Sequence, residues 1–262
     1  MKTLIAITTL GRVWDQRTLY NLPTAIADDT KIIVQQHEYE DHLEKYGDVC
    51  GGVVALPPEI NNLGGTRRWL FEYARDSGYD AVIMLDDDLD FYWRQDPAEW
   101  QLTTPSPGQL TRMFVEVIDK LAEGYMHVGV SGREGNNRER EYGVENVRYM
   151  RFLAYRTDMP SVIEHGRING MSDFDVNLQL LKSGFRSYVF YRYAQGQRGT
   201  QTPGGCAINR TKDTHTEEIN FMVREHAGFV IKRTKNNKTG GEFGTRLELT
   251  IHWKLAFEES QR

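Results

Sequence analysis

Three consecutive carboxylates, Asp86, Asp87 and Asp88, directly follow an apolar run at residues 81–85 of this 262-residue chain. A buried strand that ends in so much like charge is unfavourable unless a cation neutralises the carboxylates. Hard oxygen ligands in this position suit Mg²⁺ or Mn²⁺ bound together with phosphate groups. A helix N-cap or a solvated turn rich in aspartate is the alternative. Since the apolar run places the carboxylates at a strand end, where open α/β sheets bind ligands, the pattern predicts a metal and phosphate site.

The elements that must position these carboxylates form an alternating pattern of short apolar runs and amphipathic segments. The predicted strands of the first half span residues 3–8, 31–35, 51–56 and 81–85, and the predicted helices span 16–27, 38–46 and 65–77. Beyond Asp88 the order is mixed, with predicted helices at 109–123, 172–183 and 217–226 and predicted strands at 127–131, 149–155, 188–191 and 246–253. Strands that alternate with helices predict an α/β fold, Rossmann-like, with a mostly parallel central sheet and helices on both faces.

Composition excludes several classes of protein. With 39% hydrophobic and 26% charged residues, the chain is neither disordered nor of collagen or coiled-coil type. Its longest apolar runs, of about five residues, cannot span a bilayer, and its first residues lack the long apolar region of a signal peptide. Cys50 and Cys206 do not form a metal-spaced pair. We therefore expect a soluble cytoplasmic protein with reduced thiols and no membrane partner.

The net charge of −5 conceals an asymmetry along the chain. Residues 1–191 hold 20 basic and 29 acidic side chains, whereas residues 192–262 hold 12 basic and 8 acidic ones. The late basic residues concentrate at Arg210, at Lys212 and within 232–238. A solvated surface explains such a stretch, and a face that follows a phosphate backbone is the sharper alternative.

The carboxylate cluster resembles the DxD element of GT-A fold glycosyltransferases, which use nucleotide sugars. Asp86 and Asp88 match its two carboxylates. Three further segments are similar to that family in the same order: residues 5–12, 62–67 and 172–175. The resemblance implies a single GT-A domain over residues 1–262, with a nucleotide-sugar-binding half at 1–91 and an acceptor-binding half at 92–262.

The resemblance also implies a role for individual residues. Those expected at the nucleotide sugar are Thr8, Gly11, Arg12, Gly64, Arg67, Asp86 and Asp87. Glycine lets a backbone approach phosphates closely, and an arginine offers a planar fork of donors to a ribose or diphosphate. Taken alone, Gly64 would be a plain turn into a helix and Arg12 a surface residue, and only their spacing to the carboxylates favours ligand binding.

The same family places a general base in its acceptor-side acidic motif, and Asp173 matches that position. This carboxylate would accept a proton from the acceptor hydroxyl as its oxygen attacks the sugar. Asp175 is the second candidate base. The alternatives are that Asp173 only caps the helix and that Asp175 is an exposed first-turn carboxylate favoured by the helix dipole.

A closer resemblance covers nearly the whole chain. Residues 16–23, 66–69, 85–88, 135–138 and 244–254 look like segments of the TET-associated glycosyltransferases of bacteriophages. Membership of that family implies glycosylation of 5-hydroxymethylcytosine in phage DNA after TET-like oxidation of 5-methylcytosine. The protein would then act in the host cell cytoplasm during infection.

GT-A enzymes often add a histidine to the metal held by the DxD element, and three histidines compete for that place. His215 follows a glycine-rich segment and a basic patch, so it could fold over the diphosphate. His252 lies in an alternating strand pattern typical of a structural histidine, and His226 lies at a predicted helix end. We predict metal ligation by Asp88, Asp86 and His215, with water as the alternative third ligand.

Basic and amide side chains beyond the carboxylates are candidates for DNA binding. Those predicted to contact nucleic acid are Arg133, Asn137, Arg138, Arg210 and Lys235. If the target base lies in a duplex, its hydroxymethyl group needs to be flipped toward Asp173.

The function implied by these resemblances is sugar transfer from a UDP-sugar, UDP-glucose or UDP-N-acetylglucosamine, to 5-hydroxymethylcytosine in DNA. It would depend on Mn²⁺ or Mg²⁺ and would invert the anomeric centre. Three alternatives remain open. A GT-A enzyme could act on a polysaccharide or protein, and a nucleotidyltransferase would use similar carboxylates but release pyrophosphate. A non-enzymatic nucleic-acid-binding module would leave the carboxylates at the end of a buried strand unexplained.

Overall fold

The computed structural model describes residues 1–96, 99, 101–197, 211–236 and 245–262, except the side chains of residues 235, 236, 245 and 246. The strands in this part of the chain are β1 (Thr3–Thr8), β2 (Thr30–Val34), β3 (Val53–Ala55), β4 (Ala81–Asp86), β5 (Leu89–Trp93), β6 (His127–Gly132), β7 (Gly143–Glu145), β8 (Phe152–Arg156), β9 (Ser187–Gln197), β10 (Val230–Asn236) and β11 (Thr245–Ile251). The helices are α1 (Arg17–Asn21), α2 (Thr24–Ala27), α3 (Tyr39–Tyr46), α4 (Leu63–Asp76), α5 (Pro107–Ala122), α6 (Ser172–Lys182), α7 (Lys212–Glu225) and α8 (Trp253–Ser260). Short 3₁₀ turns occupy Gln36–Glu38 and Arg133–Arg138.

A central sheet has the strand order β3-β2-β1-β4-β8-β6-β9-β5, and β7 also pairs with β9. Strands β1 to β4 are mutually parallel where they pair, and β6 is parallel to β9. Strand β8 lies antiparallel between β4 and β6, and β5 and β7 are antiparallel to β9. The predicted α/β fold with a mostly parallel sheet is thereby confirmed. In β1 and β4, Thr8 pairs with Asp86, so the two strands end at the same edge.

Alternating side chains of the sheet pack under helices on both faces. Ile83 and Leu85 of β4 belong to one buried cluster with residues of α1 and α5, and Val82 and Met84 belong to another with residues of α4 and α6. A strand whose two faces are both covered reads as a continuous apolar run, which is the pattern of residues 81–85. The core therefore fixes the carboxylates at the end of β4.

The C-terminal elements pack against the outer side of α6. Leu178 and Leu181 of α6 share a buried cluster with Met222 of α7, Val230 of β10 and Ala256 of α8. Helix α6 is thus held between the central sheet on one side and the β10–β11 hairpin with its helices on the other.

The structure differs from the predicted elements in several places. The helix predicted at 16–27 is two short helices, because Leu22 is extended before Pro23 and the proline begins the next turn. Strand β5 lies in the stretch after Asp88, where no strand is predicted, and forms the edge of the sheet next to β9. Strands β7 and β10 and helix α8 also lie where no element is predicted. Within the described residues, none of the helices is both long and apolar enough to cross a membrane.

Candidate active site

Asp87 lies in the centre of a polar network at the end of β4. It is 4% exposed and accepts hydrogen bonds from the Thr9 hydroxyl and from Nη1 of Arg12, both at 2.5 Å. The same Nη1 atom lies 3.1 Å from Asp88 Oδ2. The structure therefore brings Arg12 to the carboxylate cluster, and its predicted contact with a nucleotide sugar stays a prediction.

The loop that carries Arg12 is fixed by residues that sequence reasoning missed. Gln16 is fully buried and donates to the Thr9 hydroxyl at 2.9 Å and to the Arg12 carbonyl at 3.0 Å. Gly11 has a φ of 69°, which glycine adopts without strain, and its N–H donates to Glu38 Oε1 at 2.6 Å. The loop is thus preorganised against β4, although no local motif marks Gln16 or Glu38.

The carboxylates of this cluster resist ionisation. Burial raises the pKa of Asp87 to about 6, against the lowering effects of Thr9 and Arg12. Burial likewise raises the pKa of Asp86 to about 6, with the neighbouring carboxylates adding to the shift and Arg67 opposing it. A divalent cation would offset this repulsion, so the donor set fits a hard metal.

Helix α4 begins at a point of close packing. Asn62 caps it by accepting from the N–H of Gly65 at 2.8 Å. A Cβ at Gly64 would lie 2.4 Å from the carbonyl oxygen of Ile168, and the Gly64 N–H donates to Asn169 at 3.2 Å. These contacts explain Gly64 by the approach of a neighbouring loop, and its contact with a nucleotide sugar stays a prediction.

Arg67 joins the two halves of the candidate site. The residue is 7% exposed, its Nη2 lies 3.5 Å from Asp86 Oδ1, and its Nη1 lies 3.7 Å from Asp173 Oδ1. Nη1 also donates to the hydroxyl of Ser172 at 2.9 Å. A single guanidinium thus lies within 4 Å of the first carboxylate of the DxD-like element and of the predicted base.

Asp173 lies at the start of α6 and is 9% exposed. The cap position belongs to Met171, whose side chain makes no cap hydrogen bond and whose φ of 61° is left-handed. The Asp173 carboxylate accepts from the N–H of Phe174 at 3.1 Å. Asp173 is therefore not the N-cap residue of α6, although its carboxylate accepts one N–H of the first turn. Backbone strain of the kind at Met171 is often concentrated at functional sites.

Asp175 has surroundings of a different kind. It is fully buried and accepts from Arg167 at 2.5 and 3.0 Å, from His226 Nε2 at 2.8 Å and from Gln179 at 3.0 Å. Burial alone would raise the pKa of Asp175, but the hydrogen bonds and charges of His226 and Arg167 outweigh it and lower that pKa. The alternative of an exposed first-turn carboxylate is wrong. A catalytic role for Asp175 stays a prediction, while these contacts support a structural one.

The three histidines lie in different surroundings. His215 Nε2 is 3.1 Å from the carbonyl oxygen of Leu247 in β11. His226 is buried against Asp175, and His252 precedes α8 with its N–H donating to Phe229. In the part of the chain that the structure describes, no three His, Cys, Asp or Glu side chains are grouped as a metal site. Ligation by His215 stays a prediction, and oxygens of a diphosphate and of water suit the remaining positions.

Buried hydrogen bonds anchor the predicted DNA-binding loop at residues 133–138. Asn136 is fully buried and donates to the Ser131 hydroxyl at 2.6 Å, and its carbonyl accepts from Arg94 at 3.0 Å. Arg94, which sequence reasoning missed, is 1% exposed. Arg133, Asn137 and Arg138 are exposed on this loop.

Two residues predicted to contact DNA have side chains outside the described part of the chain. Arg210 lies outside the described residues, and Lys235 lies in β10 with its side chain outside the described part. Contact of either residue with DNA stays a prediction.

Comparison with known proteins agrees with this geometry. The sequence model of the family described as TET-associated glycosyltransferase matches residues 3–205. The chain belongs to the TET-associated glycosyltransferase family. It is thus a glycosyltransferase of GT-A type, as its order of motifs predicts. No curated protein sequence matches the chain.

Solved structures share the fold of this TET-associated glycosyltransferase at low identity. The TarS fragment 1–349 of S. aureus, in complex with UDP, is 12% identical with a TM-score of 0.51, over 87% of this chain and 66% of that one. Glucosyl-3-phosphoglycerate synthase of Mycobacterium tuberculosis, in complex with Mg²⁺ and UDP, is 12% identical with a TM-score of 0.50, over 95% of this chain and 86% of that one. The chain therefore spans slightly less than two thirds of the TarS fragment. These likenesses show the GT-A fold.

Proposed function

We propose that this TET-associated glycosyltransferase moves a sugar from a UDP-sugar to the hydroxyl of 5-hydroxymethylcytosine in phage DNA. The observation that carries the proposal is the position of Arg67 between Asp86 and Asp173. It holds a carboxylate suited to the donor and a carboxylate suited to an acceptor beside one guanidinium. The family membership supports hydroxymethylcytosine as acceptor, and the UDP complexes of the structural neighbours support UDP-glucose or UDP-N-acetylglucosamine as donor.

On the donor side, Asp88 and Asp86 would hold Mn²⁺ or Mg²⁺, whose charge offsets that of the departing nucleotide diphosphate. Arg12 contacts Asp87 and Asp88 and adds a fixed positive charge next to this position. Thr8 and Gly11 lie on the strand end and loop that border the same space. The preorganised loop would orient the diphosphate without rearrangement.

On the acceptor side, Asp173 takes the proton of the hydroxymethyl group while its oxygen forms a bond to the anomeric carbon. The bond from that carbon to the diphosphate breaks as the electron pair leaves with UDP. The configuration at the anomeric carbon is thereby inverted, and the proton remains on Asp173. Arg67 Nη1 lies 3.7 Å from Asp173 Oδ1, so the guanidinium would hold this carboxylate in position for the transfer.

The acceptor would be bound by the exposed side chains of the loop at residues 133–138, with Arg210 and Lys235 as further contacts. Arg133 donates to the Tyr92 hydroxyl at 2.9 Å, and its guanidinium lies 4.5 Å from the centroid of that ring. Arginine and aromatic groups of this kind suit phosphates and unstacked bases. We place the activity in the cytoplasm of the infected host, where such DNA is made.

The test is a transfer assay read by nucleoside mass. The protein is incubated with Mn²⁺ or Mg²⁺, a panel of UDP-sugars, and DNA that contains cytosine, 5-methylcytosine or 5-hydroxymethylcytosine. A sugar-sized mass gain on 5-hydroxymethylcytosine alone is the expected result. Transfer to a polysaccharide or protein but not to this DNA would move the enzyme to another acceptor class. In a parallel reaction that supplies a nucleoside triphosphate and a sugar phosphate, release of pyrophosphate would identify a nucleotidyltransferase.

A further inference from the structure

A second group of arginines surrounds the mouth of the site next to Asp173, and sequence reasoning assigned no role to two of its members. The guanidinium of Arg148 lies 4.9 Å from the centroid of the Phe174 ring, directly beside Asp173 in the chain. Arg148 interacts electrostatically with two carboxylates, Asp173 and Glu134, and with two guanidiniums, Arg151 and Arg138. These contacts place Arg148 on the acceptor side of the site.

The backbone of Arg151 has an unusual conformation and is hydrogen-bonded to the end of β4. Its φ of 66° is left-handed, and its carbonyl accepts from the N–H of Asp86 at 3.1 Å. Such a conformation is unfavourable for a non-glycine residue, so the surrounding structure must enforce it. The Arg151 Nη1 atom lies 3.4 Å from Glu134 Oε1 and 3.5 Å from Gln195 Oε1. The side chain is thus directed toward the loop at 133–138.

The group formed by Arg138, Arg148 and Arg151 is positively charged, whereas the whole chain has a net charge of −5. Arg138, Arg148 and Arg151 converge on the approach to Asp173, and Glu134 is the carboxylate that pairs with Arg151 at 3.4 Å. In the described part of the chain, Arg138 and Arg148 have no ion-pair partner within 4.0 Å. The neutral hydroxymethyl group of the acceptor base cannot offset this excess of guanidinium charge, whereas a phosphodiester next to that base can.

We propose that Arg148 and Arg151 bind the phosphate that flanks the acceptor nucleotide and so position its hydroxymethyl group at Asp173. This inference rests on the proposed function and adds to it the part of the acceptor that is recognised. The two guanidiniums act on a phosphate oxygen and do not touch the reacting atoms. Their loss should therefore weaken acceptor binding and leave donor binding as it is.

The test compares oligonucleotides with one 5-hydroxymethylcytosine and either natural linkages or neutral methylphosphonates on both sides of it. Arg148→Ala and Arg151→Gly are the variants, since glycine keeps the left-handed backbone while removing the guanidinium. Arg75→Ala is the matched control, because this exposed arginine pairs with Asp76 near the opposite end of α4 from Arg67. Arg148→Lys, which keeps the charge, should recover part of the loss.

With natural linkages, each variant should raise the KM for the oligonucleotide about tenfold, the change expected for loss of a phosphate contact. The KM for the UDP-sugar should stay unchanged, and the neutral oligonucleotide should show the same KM with variant and wild-type enzyme. Equal losses on both oligonucleotides, or a rise in the KM of the donor, would overturn the phosphate assignment. A wild-type enzyme that modifies neither oligonucleotide would instead refute the proposed function itself.

Discussion

Asp173 and Asp175 lie two residues apart on α6, and exchanging each for asparagine should give opposite results. Asp175 is fully buried between Arg167 and His226. An asparagine in place of Asp175 would keep one oxygen for His226 but would present an amide N–H₂ to a guanidinium that also donates. The Asp175→Asn variant should therefore lose stability, whereas Asp173→Asn should lose sugar transfer.

The size of the stability loss follows from the contacts of Asp175. Removing one partner of a buried ion pair costs about 3–5 kcal/mol. Arg167 is 24% exposed and keeps Glu225 at 3.6 Å, so the lower end of this range applies. Unfolding entropy is about 2.1 cal/mol/K per residue, or about 0.55 kcal/mol/K for a chain of 262 residues. A loss of about 3 kcal/mol then lowers the Tm by about 5 °C.

The effect should also depend on pH in a defined direction. The pKa of Asp175 is lowered below its ordinary value of 3.8, because His226 and Arg167 outweigh the opposing effect of burial. Its contribution to stability is therefore complete above about pH 4 and is lost as pH falls through the lowered folded-state pKa. The Tm difference between wild type and Asp175→Asn should shrink as pH falls from about 5 to about 2.

The assay is thermal unfolding followed by circular dichroism across this pH range, with Asp173→Asn as the control on the same helix. Asp173→Asn should change the Tm by less than about 2 °C, since Arg67 lies 3.7 Å from Asp173 and keeps Asp86 at 3.5 Å, and the asparagine oxygen can still accept from Phe174. An Asp175→Asn variant that unfolds like wild type but no longer transfers sugar would refute the structural role. In that event Asp175 would be the better candidate for the base.

Three further predictions concern the donor and acceptor sides. Asp88→Ala should abolish turnover and metal-dependent UDP binding in calorimetry, and unchanged UDP binding would reject Asp88 as a metal ligand. Arg67→Lys should lower kcat by at least about tenfold, because an ammonium cannot reach Asp86 and Asp173 together; equal kcat values in steady-state assays would count against the bridging role. The KM for hydroxymethylated DNA should rise by about tenfold or more between about 50 and 200 mM salt, because binding to several phosphates releases counterions. A KM that does not change with salt would argue against binding of the DNA backbone.

Much of the fold follows from local pattern. The apolar runs at residues 3–8 and 81–85 predict β1 and β4 correctly because both faces of these strands are buried. Strand β5 is missed because its sequence follows the carboxylates and its ladder is formed with β9, far along the chain. Pro23 splits a predicted helix through the extended Leu22, an effect of one residue that composition does not reveal.

The sequence predicts those site residues that belong to a motif, but not those whose position depends on packing. Asp86, Asp173 and Arg67 come from the spacing of motifs, and the structure brings them together. Gln16 and Arg94 were missed because their role depends on burial against loops distant in sequence. No local sequence motif marks Arg148 and Arg151. Their proposed role depends on the approach of separate segments in the fold and on the left-handed backbone of Arg151.

The central claim is that Asp173 activates the hydroxyl of 5-hydroxymethylcytosine while the carboxylates after β4 hold the donor. The most direct measurement digests DNA treated with wild-type enzyme or with Asp173→Asn and weighs its nucleosides, alongside UDP affinity of both proteins. We expect a sugar-bearing hydroxymethylcytosine from wild type, none above about a hundredth of that yield from Asp173→Asn, and equal UDP affinity of the two proteins. Full transfer by Asp173→Asn, or no sugar on hydroxymethylcytosine from wild type with any UDP-sugar, would contradict it.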